Sequence, residues 1–375
     1  MSIKRKNFES GMRIYNLFPR LVGPIVTWSE HLPRIRNMGF NCIFLNPFHL
    51  TGQSGSLYAI KDYKKIDPHF LLDGGDGWKD LKGFIHLAKK EELRVMIDLV
   101  INHTASDSDL TRLHPEWYKH GSDGDFQHPF CVDSGNGGKI TIWRDLAEIE
   151  NDGEASRNGL WEFWWELVEK YMDLGIDAFR CDAAYKVPSS LWEYLIKKAR
   201  RKNKSFLFLA ETLGCSEEET IQTARCGFDY IYNSSKWWDL SADWCLRQYE
   251  MTRHFAGSIS FPETHDTPRL CHEMQGNIDV IKMRYLLAAL FSSGVMMPIG
   301  YEYGFMKPLH VVKTTPQDWE QGIFDLEDFI TRCNALKDRY EIFNEEGEQY
   351  ISPLSNSSVL VLKKISLDER EKVAI

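Results

Sequence analysis

An α/β fold, a (β/α)8 barrel, is what the 375-residue sequence predicts from two observations. Strand-like and helix-like stretches alternate along most of the chain, and repeated βα units imply a parallel sheet. In addition, four short apolar runs each end in polar or ionisable side chains. Val95-Met96-Ile97 leads to Asp98, Asn102 and His103; Ile176 to Phe179 leads to Arg180 and Asp182; Phe206 to Ala210 leads to Glu211; Ser258 to Phe261 leads to Glu263, Thr264, His265 and Asp266. Polar groups delivered repeatedly at the C-terminal ends of parallel strands mark that barrel face as the functional one.

The elements follow in order. Arg13 to Phe18 reads as the first strand. A helix face of Leu32, Ile35 and Met38 stops at Gly39, and Cys42 to Leu45 follows as the second strand. After a Gly- and Ser-rich loop, a helix from about Trp78 turns Leu81, Phe84, Ile85 and Ala88 inward and feeds the third strand, which ends at Asp98. The helix carrying Trp161, Trp164, Trp165 and Val168 precedes the fourth strand. The fifth to eighth strands are Phe206–Ala210, Phe228–Tyr232, Ser258–Phe261 and Val295–Ile299. Residues 1–102 and 161–345 therefore form the barrel. Residues 103–160, rich in His, Asp and Gly, are a long insertion after the third strand, where length alone argues for a functional loop or subdomain. Glu348–Ile351 and Ser358–Leu362 read as the first strands of a C-terminal β region, 346–375, too few to close a sandwich, so a truncated β-domain is expected.

Composition narrows the class. Hydrophobic residues make up 43% of the chain, and no apolar run approaches the 18 or so residues of a membrane span. The N-terminus is basic but lacks an apolar signal core, so a cytoplasmic location is expected. Eight cysteines are scattered singly without a C-x-x-C pair and are expected to be reduced. A net charge of -9 argues against a nucleic-acid partner. The 13% aromatic content, with 12 Trp, leans toward a neutral, hydroxyl-rich ligand.

The ionisable groups have a specific chemistry. Arg180 and Asp182 share a strand face, and a guanidinium beside a carboxylate favours the ionised form, as a carboxylate nucleophile requires. A lone R-x-D would read as a structural ion pair; three further strands with the same design point elsewhere. Glu211 follows five apolar residues, a setting that raises a carboxyl pKa toward that of a neutral acid. Adjacent strands lie about 4.8 Å apart, close to the roughly 5 to 5.5 Å between the two carboxyl groups of a retaining glycosidase.

The stretches IDLVINH, FRCDAA, FLAET and ETHD, in this order, with GSLYAIKDYKKIDP and WRDLAEIE between them, resemble the conserved regions of the α-amylase superfamily of retaining glycoside hydrolases and transglycosidases. The resemblance spans roughly residues 12 to 340. It implies Asp182 as nucleophile, Glu211 as acid/base and Asp266 as the carboxylate that stabilises the transition state. It also implies Tyr58 as a platform under the sugar, His103 and His265 as hydroxyl ligands, and Asp98 as the residue orienting Arg180. Lys186 stands where members often have His, and Thr264 where they often have Asn. Lys186 and Lys307 are candidates for a phosphate or an acceptor. Asn102 matches a ligand of a structural calcium; no cofactor is implied for the chemistry itself. The insertion corresponds to a short domain B. The phrases LHPEWYKHGSDGDFQHP, KVPSSLWEYLIKKAR and GYEYGF are similar to maltosyltransferases that use maltose-1-phosphate. The expected activity is cleavage of α-linked glucosyl units by a retaining glycosidase, with transfer of glucosyl or maltosyl units to glucan, and a non-catalytic carbohydrate-binding barrel, as the alternatives.

Overall fold

The computed structural model describes residues 11–72, 74–133, 139–239, 242–356 and 359–375. Eight parallel strands close into a barrel: β1 (Arg13–Asn16), β2 (Cys42–Leu45), β3 (Arg94–Leu99), β4 (Ala178–Cys181), β5 (Leu207–Ala210), β6 (Tyr230–Tyr232), β7 (Gly257–Ser260) and β8 (Gly294–Pro298). Neighbours in the chain are neighbours in the sheet, and β8 pairs with β1 through Arg13 and Val295 to complete the ring.

Alternation along each strand divides the core in two. Ile14, Cys42, Phe44, Met96, Ala178, Leu207, Leu209, Tyr230, Ile259 and Met296 fill the barrel interior. Their sequence neighbours, such as Ile43, Val95, Ile97, Phe179 and Phe208, pack outward against the helices. The helix Gly77–Lys90 buries Leu81, Phe84, Ile85 and Ala88 and starts at Asp76, whose side chain accepts from the N–H groups of Trp78 and Lys79. The helix Leu160–Leu174 buries Trp164, Trp165 and Val168 and ends on Gly175 at φ 103°, a left-handed conformation that glycine adopts without a Cβ penalty. That sharp stop turns the chain directly into β4.

Within residues 103–160 the structure holds a two-stranded pair, His103–Ala105 with Leu146–Glu148, and a separate hairpin, Phe130–Asp133 with Lys139–Ile142. Near the C-terminus, Glu348–Ile351, Leu362–Ile365 and Lys372–Ala374 form a three-stranded antiparallel sheet. The middle strand starts four residues later than the apolar pattern suggests. Residues 359–361 lead into it: Asn356 N donates to Val359 O and Ser352 N to Val361 O, and Val359 is exposed. Residues 357 and 358 of that expected strand lie outside the described residues. Lys364 and Lys337, both fully buried, donate to the carbonyls of Phe291 and of Ala289 and Ser292, which ties the C-terminal segments to the base of the barrel. All eight cysteines are free thiols. No helix among the described residues is long and apolar enough to cross a membrane.

Candidate active site

The inward parity of Met96, Ala178, Leu207 and Leu209 fixes what comes next on each strand. Two residues further along, Asp98, Arg180 and Glu211 also face inward, and Asp182 follows Arg180 on the same face. Sheet register sets Arg180 directly beside Asp98. The Arg180 guanidinium, only 5% exposed, becomes the hub: its Nη1 donates to Asp98 Oδ1 at 2.6 Å and to Asp182 Oδ1 at 3.0 Å, while Nη2 lies 4.0 Å from Glu211 Oε2. Three carboxylates around one buried cation push the Arg180 pKa up despite its burial, so it stays charged.

The carboxylates differ because their surroundings differ. Glu211 is buried, and burial with the nearby Asp182 charge raises its pKa to about 7 against the pull of Arg180. Two backbone donors hold it in place, Ala183 N on Oε2 at 2.9 Å and Leu213 N on Oε1 at 2.5 Å. Burial likewise raises Asp98 to about 6, opposed by Arg180, so it remains mainly ionised at neutral pH. Asp182 is partly open to the cleft, its side chain 13% exposed. Asp266 stands at the rim, 53% exposed, with Oδ2 2.9 Å from His265 Nε2.

Tyr58 joins the two sides of the cleft. Its hydroxyl donates to Asp98 Oδ2 at 2.7 Å, accepts from Asn46 Nδ2 at 3.0 Å, and lies 2.7 Å from His265 Nε2. The Tyr58 and His265 rings stack with centroids 5.6 Å apart at 5°. His103 contributes from beneath, Nε2 lying 3.2 Å from the Tyr58 carbonyl oxygen. The structure thus gathers Tyr58, Asp98, His103, Arg180, Asp182, Glu211, His265 and Asp266 at the C-terminal end of the barrel. Lys186 sits apart at the exposed rim, its ammonium over the rings of Phe130 and Tyr185.

Asn102, the candidate calcium ligand, is held against the end of β4 at Asp182. Its Nδ2 donates to the Asp182 carbonyl at 3.4 Å, and its buried Oδ1 has no hydrogen-bond partner. Calcium takes six to eight oxygen ligands, several of them carboxylates. Among the described residues no three His, Cys, Asp or Glu side chains converge to hold a metal. One amide oxygen is a poor fit to such an ion.

Several residues that build the site escape a search for charged strand ends. Asn16 and Asn46 close β1 and β2 and form a chain, Asn16 Nδ2 to Asn46 Oδ1 at 2.8 Å, that ends on Tyr58. The strand-end rule applied to amides would have found both. Phe18 stacks on His265 at 6.3 Å and 27°. Glu263 and Arg269, both buried, form a 2.8 Å ion pair that staples the loop carrying His265 and Asp266. Arg269 Nε then donates to the Lys307 carbonyl at 3.0 Å, and Leu57 N to the Val311 carbonyl at 3.1 Å. The segment 307–311 is thereby fastened both to the Asp266 loop and to the Tyr58 loop. Between it and Asp266 lies a cavity of about 520 Å³ lined by His265, Arg269, His272, Met306, Leu309 and His310.

Known proteins resemble this chain in sequence and in fold. The glucanotransferase domain of glycogen debranching enzyme, as a family model, matches residues 8–120. An alpha-1,4-glucan:maltose-1-phosphate maltosyltransferase of Burkholderia pseudomallei is 25% identical over 344 residues, covering 89% of this chain and 30% of that protein. The enzyme of the same name from Mycolicibacterium smegmatis is 25% identical over 393 residues, covering 93% of this chain and 54% of its own length. The chain thus spans a third to about half of these curated relatives. Among solved structures, an α-amylase from Lactobacillus plantarum superposes with a TM-score of 0.77 at 21% identity, covering 95% of this chain and 86% of that one. An α-amylase from Geobacillus thermoleovorans gives 0.76 at 19% identity, covering 97% and 86%.

Proposed function

We propose that this chain, a member of the α-amylase superfamily, transfers an α-linked maltosyl or glucosyl unit to an α-glucan acceptor with net retention at the anomeric carbon. One observation carries the reading: a buried arginine contacts a partly open aspartate while a neighbouring buried glutamate titrates at about 7. That sets a carboxylate against a buried guanidinium, as a nucleophile requires, beside an acid whose burial favours the protonated form.

In the first half-reaction a carboxylate oxygen of Asp182 bonds to the anomeric carbon, and the bond from that carbon to the leaving oxygen breaks as Glu211 gives up its proton to that oxygen. Arg180 accompanies the charge on Asp182 throughout. In the second half, an acceptor hydroxyl oxygen attacks the glycosyl ester, Glu211 takes the hydroxyl proton, and Asp182 is released as a carboxylate. A group with a pKa near 7 serves both directions at neutral pH. Tyr58 offers a ring face to the sugar in the cleft; His103, His265 and Asp266 meet its hydroxyls. The cavity beside Asp266 accommodates the rest of the donor.

Transfer is preferred over hydrolysis because both matched relatives are named as maltosyltransferases acting on α-1,4-glucan and maltose-1-phosphate. Maltose-1-phosphate is accordingly the proposed donor. The test is to incubate the chain with maltose-1-phosphate and maltohexaose, following phosphate release and product length. Phosphate release matched by glucans two glucosyl units longer supports transfer. Free maltose as the product would return the reading to hydrolysis, and no turnover on this donor or on maltooligosaccharides would favour a non-catalytic barrel.

A further inference from the structure

The hairpin Phe130–Asp133 with Lys139–Ile142 has an unusual sidedness. Its register pairs Phe130 with Ile142, whose side chains project from the same face of the sheet, and Ile140, two residues before Ile142, shares that face. Phe130, Ile140 and Ile142 thus share one face, yet Phe130 is 47% exposed, Ile142 49% and Ile140 59%, with Trp143 beside them also exposed. A two-stranded hairpin that keeps its apolar face in water has a surface to offer.

That surface is continuous with the cleft. Lys186 Nζ lies 5.3 Å from the ring centre of Phe130 and 5.3 Å from that of Tyr185. Among the described residues the ammonium makes no hydrogen bond or ion pair, so its N–H donors are unspent. Ala184 N, in the same short turn, donates to the Glu211 carbonyl at 3.0 Å. The Tyr185 phenol sits close enough to Glu211 and Asp182 to feel both charges. The series Glu211, Tyr185, Lys186, Phe130, Ile142 thus leads from the acid/base to the hairpin.

We propose that the apolar face of this hairpin, together with Tyr185 and Lys186, is the platform for the acceptor: an α-glucan chain lies on it beyond the hydroxyl that reacts. Glucosyl rings present C–H faces suited to Phe130 and Ile142, and hydroxyl edges suited to the Lys186 donors. The proposal rests on the transfer reading above and names its acceptor side. The platform holds the chain while its terminal hydroxyl oxygen bonds to the anomeric carbon, the ester bond to Asp182 breaks, and the hydroxyl proton passes to Glu211.

The test uses the full chain with α-maltosyl fluoride as donor and either maltohexaose or maltose as acceptor. Combining Phe130→Ala with Ile142→Ser should raise the KM for maltohexaose about tenfold and that for maltose less than about threefold, because only the longer chain reaches the hairpin. Lys186→Ala should act in the same direction, and Phe130→Tyr should restore the KM for maltohexaose to within about twofold of the parent. An unchanged KM for maltohexaose overturns the platform. So does an equal rise for both acceptors, the mark of a merely structural role. A parent chain that releases no fluoride with either acceptor overturns the transfer reading itself and the platform with it.

Discussion

Ala183 N donates to Glu211 Oε2 across 2.9 Å, tying the residue after Asp182 to the carboxyl on the next strand. Ala183 is held at φ 39°, ψ 51°, a left-handed conformation that strains any residue with a Cβ. The strain sits where the two carboxylates are fixed relative to each other, as backbone strain at functional sites tends to. Ala183→Gly should remove it and stabilise the protein by up to ~1 kcal/mol, while freeing the link and lowering kcat. Thermal melting together with steady-state rates checks both halves; a variant that melts lower with kcat unchanged contradicts the account.

Glu211→Gln removes the proton donor and keeps the shape. Donors with poor leaving groups should lose roughly 10²- to 10⁴-fold in rate, whereas an activated fluoride should lose far less. Equal losses on both substrates would show that Glu211 is not the acid.

The same group makes stability depend on pH. Its folded pKa of about 7 lies above the ordinary 4.5, so the folded state holds this proton more tightly than the unfolded chain does. The stabilising contribution is complete below about 4.5 and is lost as pH rises through about 7. Glu211→Gln, which never ionises but can accept from only one of the two backbone N–H groups, should gain on the parent by on the order of 3 kcal/mol between pH 4 and pH 8. Denaturant unfolding at the two pH values measures this, and a constant difference between the proteins would contradict it.

The Arg269–Glu263 pair is almost completely buried, at 2% and 1% side-chain exposure. Arg269→Met strands the Glu263 carboxylate in the protein interior and should cost roughly 3 kcal/mol or more. The double replacement with Glu263→Gln should recover part of that. Because the pair fastens the Asp266 loop, the single variant should also raise the KM for the donor. Unfolding curves and kinetics of the two variants decide.

Much of this architecture is legible in the sequence, for identifiable reasons. Strand alternation is rigid, so Arg180 two residues before Asp182 had to share its face, and closure of eight parallel strands brings the ends of β3, β4, β5 and β7 to one rim. Asn16 and Asn46 carry no charge, so a rule built on ionisable strand ends passes over them. The Glu263–Arg269 staple was missed because a buried pair is written in tertiary packing and not in spacing. The sidedness of the Phe130 hairpin needs the register of two segments apart in sequence, and short apolar runs do not specify register on their own. The apolar run Val359-Leu360-Val361 suggests an earlier start for the middle C-terminal strand, but the strand begins at Leu362 and Val359 stays exposed.

The central claim is that Asp182 forms the covalent bond to the sugar. Treating the chain with a fluorinated α-glucosyl fluoride, which forms the glycosyl ester faster than it loses it, and mapping the adduct by mass spectrometry of peptides tests this most directly. The account predicts one stoichiometric adduct on Asp182, absent from Asp182→Ala. An adduct on Glu211 or Asp266, or labelling that persists in Asp182→Ala, would contradict it.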